Sequence, residues 1–283
     1  MSMVHRDGCP VTDLPSVPLG RSRPPAVAGA FYPAEPDRLA HDVDRRLARA
    51  AAPVAARHRR GRHVRAIVVP HAGYIYSGDV AARAYALIRI QRPTRVVVAG
   101  PAHFVGLLGV AVPGDRAWTT PLGAVPVAED LRTVAVEAGA LVDDRVHARE
   151  HAVEVQVPFL QRVGAAELEI LPVAVGETEP GEVARLLARL AAVADLIVIS
   201  TDLSHYLAEP VARRRDERTV RSVLRGDPGA IGEGDACGVF ALRGLTAWAR
   251  DAGLEVRLLD RRTSADAGGD PDRVVGYAAL AIG

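Results

Sequence analysis

The sequence predicts an α/β fold: a single αβα layered domain with a mostly parallel or mixed central sheet. Three observations carry this. Short β-branched apolar runs recur along the chain, as "VRAIVVP" (64–70), "RVVVAG" (95–100), "LEILPVAV" (168–175) and "DLIVIST" (195–201). Each is almost free of polar interruption, which suits strands covered on both faces rather than strands with one wet side. Amphipathic helical patterns lie between them, and 283 residues suffice for one large α/β domain.

Taken in order, residues 1–22 form a proline-rich, small-polar stretch without the apolar core of a secretory signal, so a flexible tail is expected before a domain spanning 23–283. After the strand at 64–70, "DVAARAYALIRI" (79–90) reads as a helix following Gly78, with Asp79 as its N-cap. "LLGVAV" (107–112) is a further strand. "PGEVARLLARLAAVA" (180–194) has helical apolar spacing, and "EPVARRRDERTVRSVLR" (209–225) is an amphipathic helix ending before Gly226. "LEVRLLD" (254–260) and "VVGYAALAI" (274–282) complete the strands. No internal repeat or linker divides the domain.

Charge and motifs exclude several function classes. Thirty-five Lys+Arg against 34 Asp+Glu leave a net charge of +1, which provides no electrostatic case for nucleic acid or a membrane surface. Apolar stretches are broken by charge well short of a membrane span. There is no P-loop and no strand-borne G-x-G-x-x-G, so no nucleotide cofactor is expected. Two cysteines, Cys9 and Cys237, make no disulfide framework, and a reducing cytoplasm is the simpler setting.

The polar residues that interrupt the apolar pattern gather at strand ends. His71 follows "AIVV", His103 follows "VVVAGPA", and Asp202 and His205 follow "LIVIST". In open α/β sheets, ligands bind beyond the carboxyl ends of the strands, so three strands deliver chemistry to one edge. Cys237 stands in "GDACGVFALRGL" at the start of a helical pattern, where the helix N-terminus would lower a thiol pKa and face the same pocket; a small packed core residue is the alternative. Two imidazoles and a thiolate suit a metal with open positions, with Asp202 and His205 orienting ligands and moving protons. The same groups also suit a metal-free Cys–His–Asp nucleophilic arrangement, and sequence spacing does not separate the two. "EHAVEVQ" (150–156) puts His151 and Glu154 one helical turn apart without a second histidine, a supporting pair rather than a ligand set.

The ordered segments "AVAGAFYPAEPDRL", "PHAGYIYSG", "GPAHF", "WTTPLGAVPV", "EHAVEVQVPFL", "ILPVAVG", "STDLSHY", "DACG" and "VVGYAALAI" resemble the Memo family, whose prokaryotic members are called AmmeMemoRadiSam system protein B. The resemblance implies a fold similar to class III extradiol ring-cleaving dioxygenases. It implies metal binding by His71, His103 and Cys237, the cysteine standing where the dioxygenases have glutamate. His205, with Asp202 beside it, matches the acid/base position, and His151 and Glu154 are expected to support the site. The implied cofactor is iron(II), with copper or zinc as alternatives that a thiolate favours.

The implied function is a redox-active, non-haem metal oxidoreductase acting on a small substrate, associated with an AMMECR-type protein and a radical SAM protein. The alternatives are a binding module that uses the old active site for a peptide or partner protein, and a Cys–His hydrolase. Two positions depart from the pattern. Gln156 stands where some relatives have histidine, and Phe31 where tryptophan is frequent, a change expected to alter packing alone.

Overall fold

The computed structural model describes residues 21–57 and 63–283; residues 1–20, including Cys9, lie outside that range. The described chain opens with β1 (Ser22–Arg23) and α1 (Pro36–Arg57), followed by β2 (Ala66–Val69), α2 (Tyr74–Ile88) and β3 (Arg95–Pro101). Three short strands come next: β4 (Val110–Val112), β5 (Ala117–Thr120) and β6 (Gly123–Pro126). Then follow α3 (Glu129–Glu137), β7 (Leu141–Val142), α4 (Asp144–Ala148), α5 (Val157–Val163), β8 (Glu169–Val175), α6 (Pro180–Ala191) and β9 (Leu196–Ser200). The chain finishes with β10 (His205–Leu207), α7 (Glu209–Leu224), α8 (Val239–Asp251), β11 (Val256–Thr263) and β12 (Val274–Ile282).

The main sheet is mixed, in the order β10-β12-β2-β9-β3-β8-β4-β7, with β11 also pairing β12. Its centre, β2-β9-β3-β8, is wholly parallel. These are the uninterrupted apolar runs, and β2 and β9 are buried at every residue, because helices cover both faces. On one side α1 packs on α2 and α5; on the other α8 packs against α6 and α7. The expected layered α/β architecture is therefore present. A small sheet, β1-β5-β6, lies beside it. No helix among the described residues is long and apolar enough to cross a membrane.

One helix boundary differs from expectation. α2 starts at Tyr74, with Gly73 as N-cap, rather than after Gly78. Asp79 lies inside the helix, where it pairs with Arg46 and Arg49 instead of capping. Gly78 is there for close approach: a Cβ on it would sit 3.1 Å from the Arg46 guanidinium. A glycine that brings two helices together looks, in sequence, like one that ends a loop.

Candidate metal centre

Because β2, β3 and β9 run parallel, their carboxyl ends open on one edge, and His71, His103 and Asp202 arrive there together. They line a cavity of about 350 Å³ with His151, His205 and Phe31, a size suited to a small ligand. One ligand atom from each of His71, His103 and His151 lies within 4.8 Å of the other two. The rings of His103 and His151 stack at 4.7 Å, and His71 meets each edge-on.

Hydrogen bonding decides which ring atoms face the cavity. Nδ1 of His103 lies 2.9 Å from Glu150 Oε1, and Nδ1 of His151 is 3.4 Å from the same oxygen. A carboxylate oxygen accepts only, so the His103 ring carries its proton on Nδ1 and keeps Nε2 free, while Nδ1 of His151 approaches the same oxygen without completing a hydrogen bond. For His71 the reasoning runs through Gln156. Its Nε2 donates to the Pro70 carbonyl and to Ser200 Oγ, while its Oε1 accepts from Tyr85. Ser200 donates its own proton to Ala152 O at 2.5 Å. With that proton committed, Ser200 Oγ accepts from His71 Nδ1 at 3.0 Å, leaving Nε2 of His71 as a lone pair. Three converging imidazoles, two of them backed by an acceptor on the far side of the ring, are the donor chemistry of a metal site. These residues fit a metal, and His71, His103 and His151 could hold one.

Burial keeps His71 and His151 neutral. Burial, reinforced by His103, lowers the His71 pKa to about 3. Burial, then His71, lowers His151 to about 4. Glu150 goes the other way from what burial alone would do. Its carboxyl is held at about 2 because hydrogen bonds from His103 and Ala152 outweigh desolvation.

Several sequence expectations need amending. His151 stands in the histidine group itself, not behind it. Glu154 does not support that group: its two oxygens take Arg23, Ala26 N, Val27 N and Tyr32 OH. Glu150, one residue before His151, provides the supporting carboxylate. Asp202 Oδ1 takes the backbone N–H of His71 at 2.8 Å and of Ala72 at 3.3 Å, so it positions the β2 end rather than the His205 ring. Burial raises its pKa. The His205 ring is oriented by the Leu203 carbonyl, 2.8 Å from Nδ1, which frees Nε2. Phe31 is more than packing, since its ring lies 4.8 Å from His151 in the cavity wall.

Cys237 Sγ is 3.2 Å from His71 Nε2, but the ligand atoms that converge are those of the three histidines, with His151 where the cysteine was expected. The thiol's acidity is the reverse of expectation. Burial, then the Asp202 charge, pushes the thiol up to about 12. α8 begins only at Val239, and the hydrogen-bonding groups around the sulfur, the Thr201 hydroxyl and the N–H groups of Asp202 and Gly238, do not offset desolvation.

Glu150 and Ser200 escaped the sequence reading. The one available signal was their adjacency to named residues, in "EH" and "STD".

The chain matches the family model of Memo-like proteins over residues 23–281. It is 34% identical over 278 residues to a MEMO1 family protein of Pyrobaculum arsenaticum, covering 92% of this chain and 98% of that protein. It is 33% identical to one from Methanopyrus kandleri, covering 91% and 98%. With one from Thermotoga maritima it shares 35%, covering 90% and 97%.

Proposed function

The chain belongs to the Memo-like protein family, and on that premise we propose that it is a metal-dependent oxidoreductase acting on a small substrate in its histidine cavity. The single observation that carries this is the convergence of His71, His103 and His151 with their Nε2 atoms uncommitted to other rings or carboxylates. In this reading the three imidazoles hold the ion, and Cys237, next to His71 Nε2, adds a donor once its proton is displaced. When bound, the ion supplies a Lewis-acid or one-electron redox centre; iron(II) is the assignment, with copper or zinc as the alternatives.

The chain's own groups have separate tasks. His205, with Nε2 free on the cavity wall, gives or takes a proton. Asp202 holds the backbone that carries His71. Phe31 and Tyr277 make the walls apolar and keep bulk water from the floor. The Cys–His hydrolase reading loses ground, because a thiol at about 12 beside an imidazole at about 3 keeps its proton. The binding-module reading draws on the exposed side chains Ile75, Tyr76 and Phe104. Cytoplasmic location, which rests on the cysteine usage, and association with an AMMECR-type protein and a radical SAM protein, which rests on the family resemblance alone, form part of the proposal.

Elemental analysis of the purified chain beside a His71→Ala/His103→Ala variant tests the site. Near-stoichiometric metal in the parent and little in the variant is expected. Equal, trace metal in both would end this reading. Oxygen uptake by iron(II)-loaded protein then separates oxidoreductase from binder.

A further inference from the structure

The mouth of the histidine cavity is built differently from its floor. Tyr206 adopts φ +59, the left-handed region that a non-glycine residue rarely occupies. The pairing of β10 with β12 shifts register between His205 and Leu207, and this bulge turns Tyr206 outward, 62% exposed, onto the cavity rim. Phe104, 49% exposed, lies just outside the cavity lining, its ring 6.0 Å from His151.

Each of these rings carries a guanidinium. Arg273 Cζ lies 4.5 Å from the Tyr206 centroid, and Arg149 Cζ lies 5.0 Å from that of Phe104. Neither side chain has a carboxylate or carbonyl partner among the described residues. Arg213, in contrast, is held by both Glu209 and Asp266. Among the described residues neither cavity carboxylate is ion-paired with Arg273: Asp202 is buried under two backbone N–H groups, and Asp270, which also lines the cavity, accepts the N–H of Asp272.

From this arrangement we propose that the cavity takes a small organic anion. Its carboxylate or phosphate is met by Arg273, and its planar or apolar body lies against Tyr206 and Phe31, which share the cavity with the three histidines. A guanidinium whose face is stacked on a ring still presents its N–H edge, the geometry that receives a carboxylate or phosphate. The strained Tyr206 backbone holds that edge at the opening. The proposal names the substrate class of the cavity and rests on the reading of that cavity as a ligand site, though not on which metal it holds.

Calorimetric titration of the purified full chain with benzoate, phenyl phosphate and the neutral benzamide tests it, with metal content measured on the same samples. At least one of the two anions is expected to bind about tenfold more tightly than benzamide, and to weaken as salt rises; which anion prevails distinguishes carboxylate from phosphate. Arg273→Gln should bring the anions to the benzamide level while metal content stays unchanged, and Arg273→Lys should recover part of the difference. Anion selectivity that depends on Arg273 in metal-free protein upholds the inference even where the metal reading fails. Equal affinity for benzamide, no binding of any probe, or selectivity that survives Arg273→Gln but is lost in His103→Ala would overturn it.

Discussion

Glu150 and Glu154 lie four residues apart in the same buried segment, 1% and 0% exposed, yet they serve different parts of the molecule. Glu154 is a structural clamp. Arg23 reaches it at 2.7 Å from the first described strand, two backbone N–H groups and the Tyr32 hydroxyl complete its shell, and Trp118 lies under the guanidinium at 4.1 Å. Glu150 lies behind the cavity histidines, holding the His103 ring by its Nδ1 and approaching that of His151 at 3.4 Å. The difference lies in the partners. A carboxylate surrounded by a guanidinium and fixed N–H groups is permanently satisfied, whereas one surrounded by imidazoles sets the state of groups that do chemistry.

The comparison breaks first at Glu154. Glu154→Ala leaves Arg23 buried without its charge partner, so a loss of about 3–5 kcal/mol is expected in urea unfolding. That change should lower stability far more than it alters metal affinity per folded molecule. A variant that unfolds like the parent would show that the clamp contributes nothing net.

Glu150→Gln should do the opposite. The amide keeps the shape but removes the charge that the His103 Nδ1 proton is bonded to, so metal affinity should fall about 10- to 100-fold with a much smaller change in stability. Competition with a chromogenic chelator measures this. An unchanged affinity would mean that the rings are oriented by packing alone.

Acid sharpens the contrast with the smallest step, about 1.4 kcal/mol per pH unit for each proton. His71 and His151 are depressed from 6.5 to about 3 and about 4, so between 6.5 and 4 the unfolded chain binds protons that the folded chain does not. Stability therefore falls as pH drops through that window. Glu150, lowered from 4.5 to about 2, contributes stability above 4.5 that is lost as pH falls toward 2. Denaturation followed across pH should show Glu150→Gln with a shallower slope below 4.5 than the parent. Superimposable slopes there would remove Glu150 from the account.

How much of this was legible in the sequence follows the range of the forces involved. The four central strands were readable as uninterrupted β-branched runs, because full burial on both faces leaves no polar positions to confuse the pattern. Three of the site's polar residues, His71, His103 and Asp202, were readable too, since a parallel sheet delivers every strand's end to one edge.

The sequence by itself therefore determined the layered α/β architecture, the family, and the edge at which the chemistry gathers. Only the tertiary structure decided which groups meet there. His151 joins the histidines because an irregular segment crosses from another part of the chain, and no periodicity marks an irregular segment. Glu150 and Glu154 look equivalent in "EHAVEVQ", and their roles separate only when Arg23, 131 residues from Glu154, arrives. The state of Cys237 was likewise a matter of burial. A local helix N-terminus argued for a thiolate, but desolvation and the nearby Asp202 charge, both products of long-range packing, outweigh it.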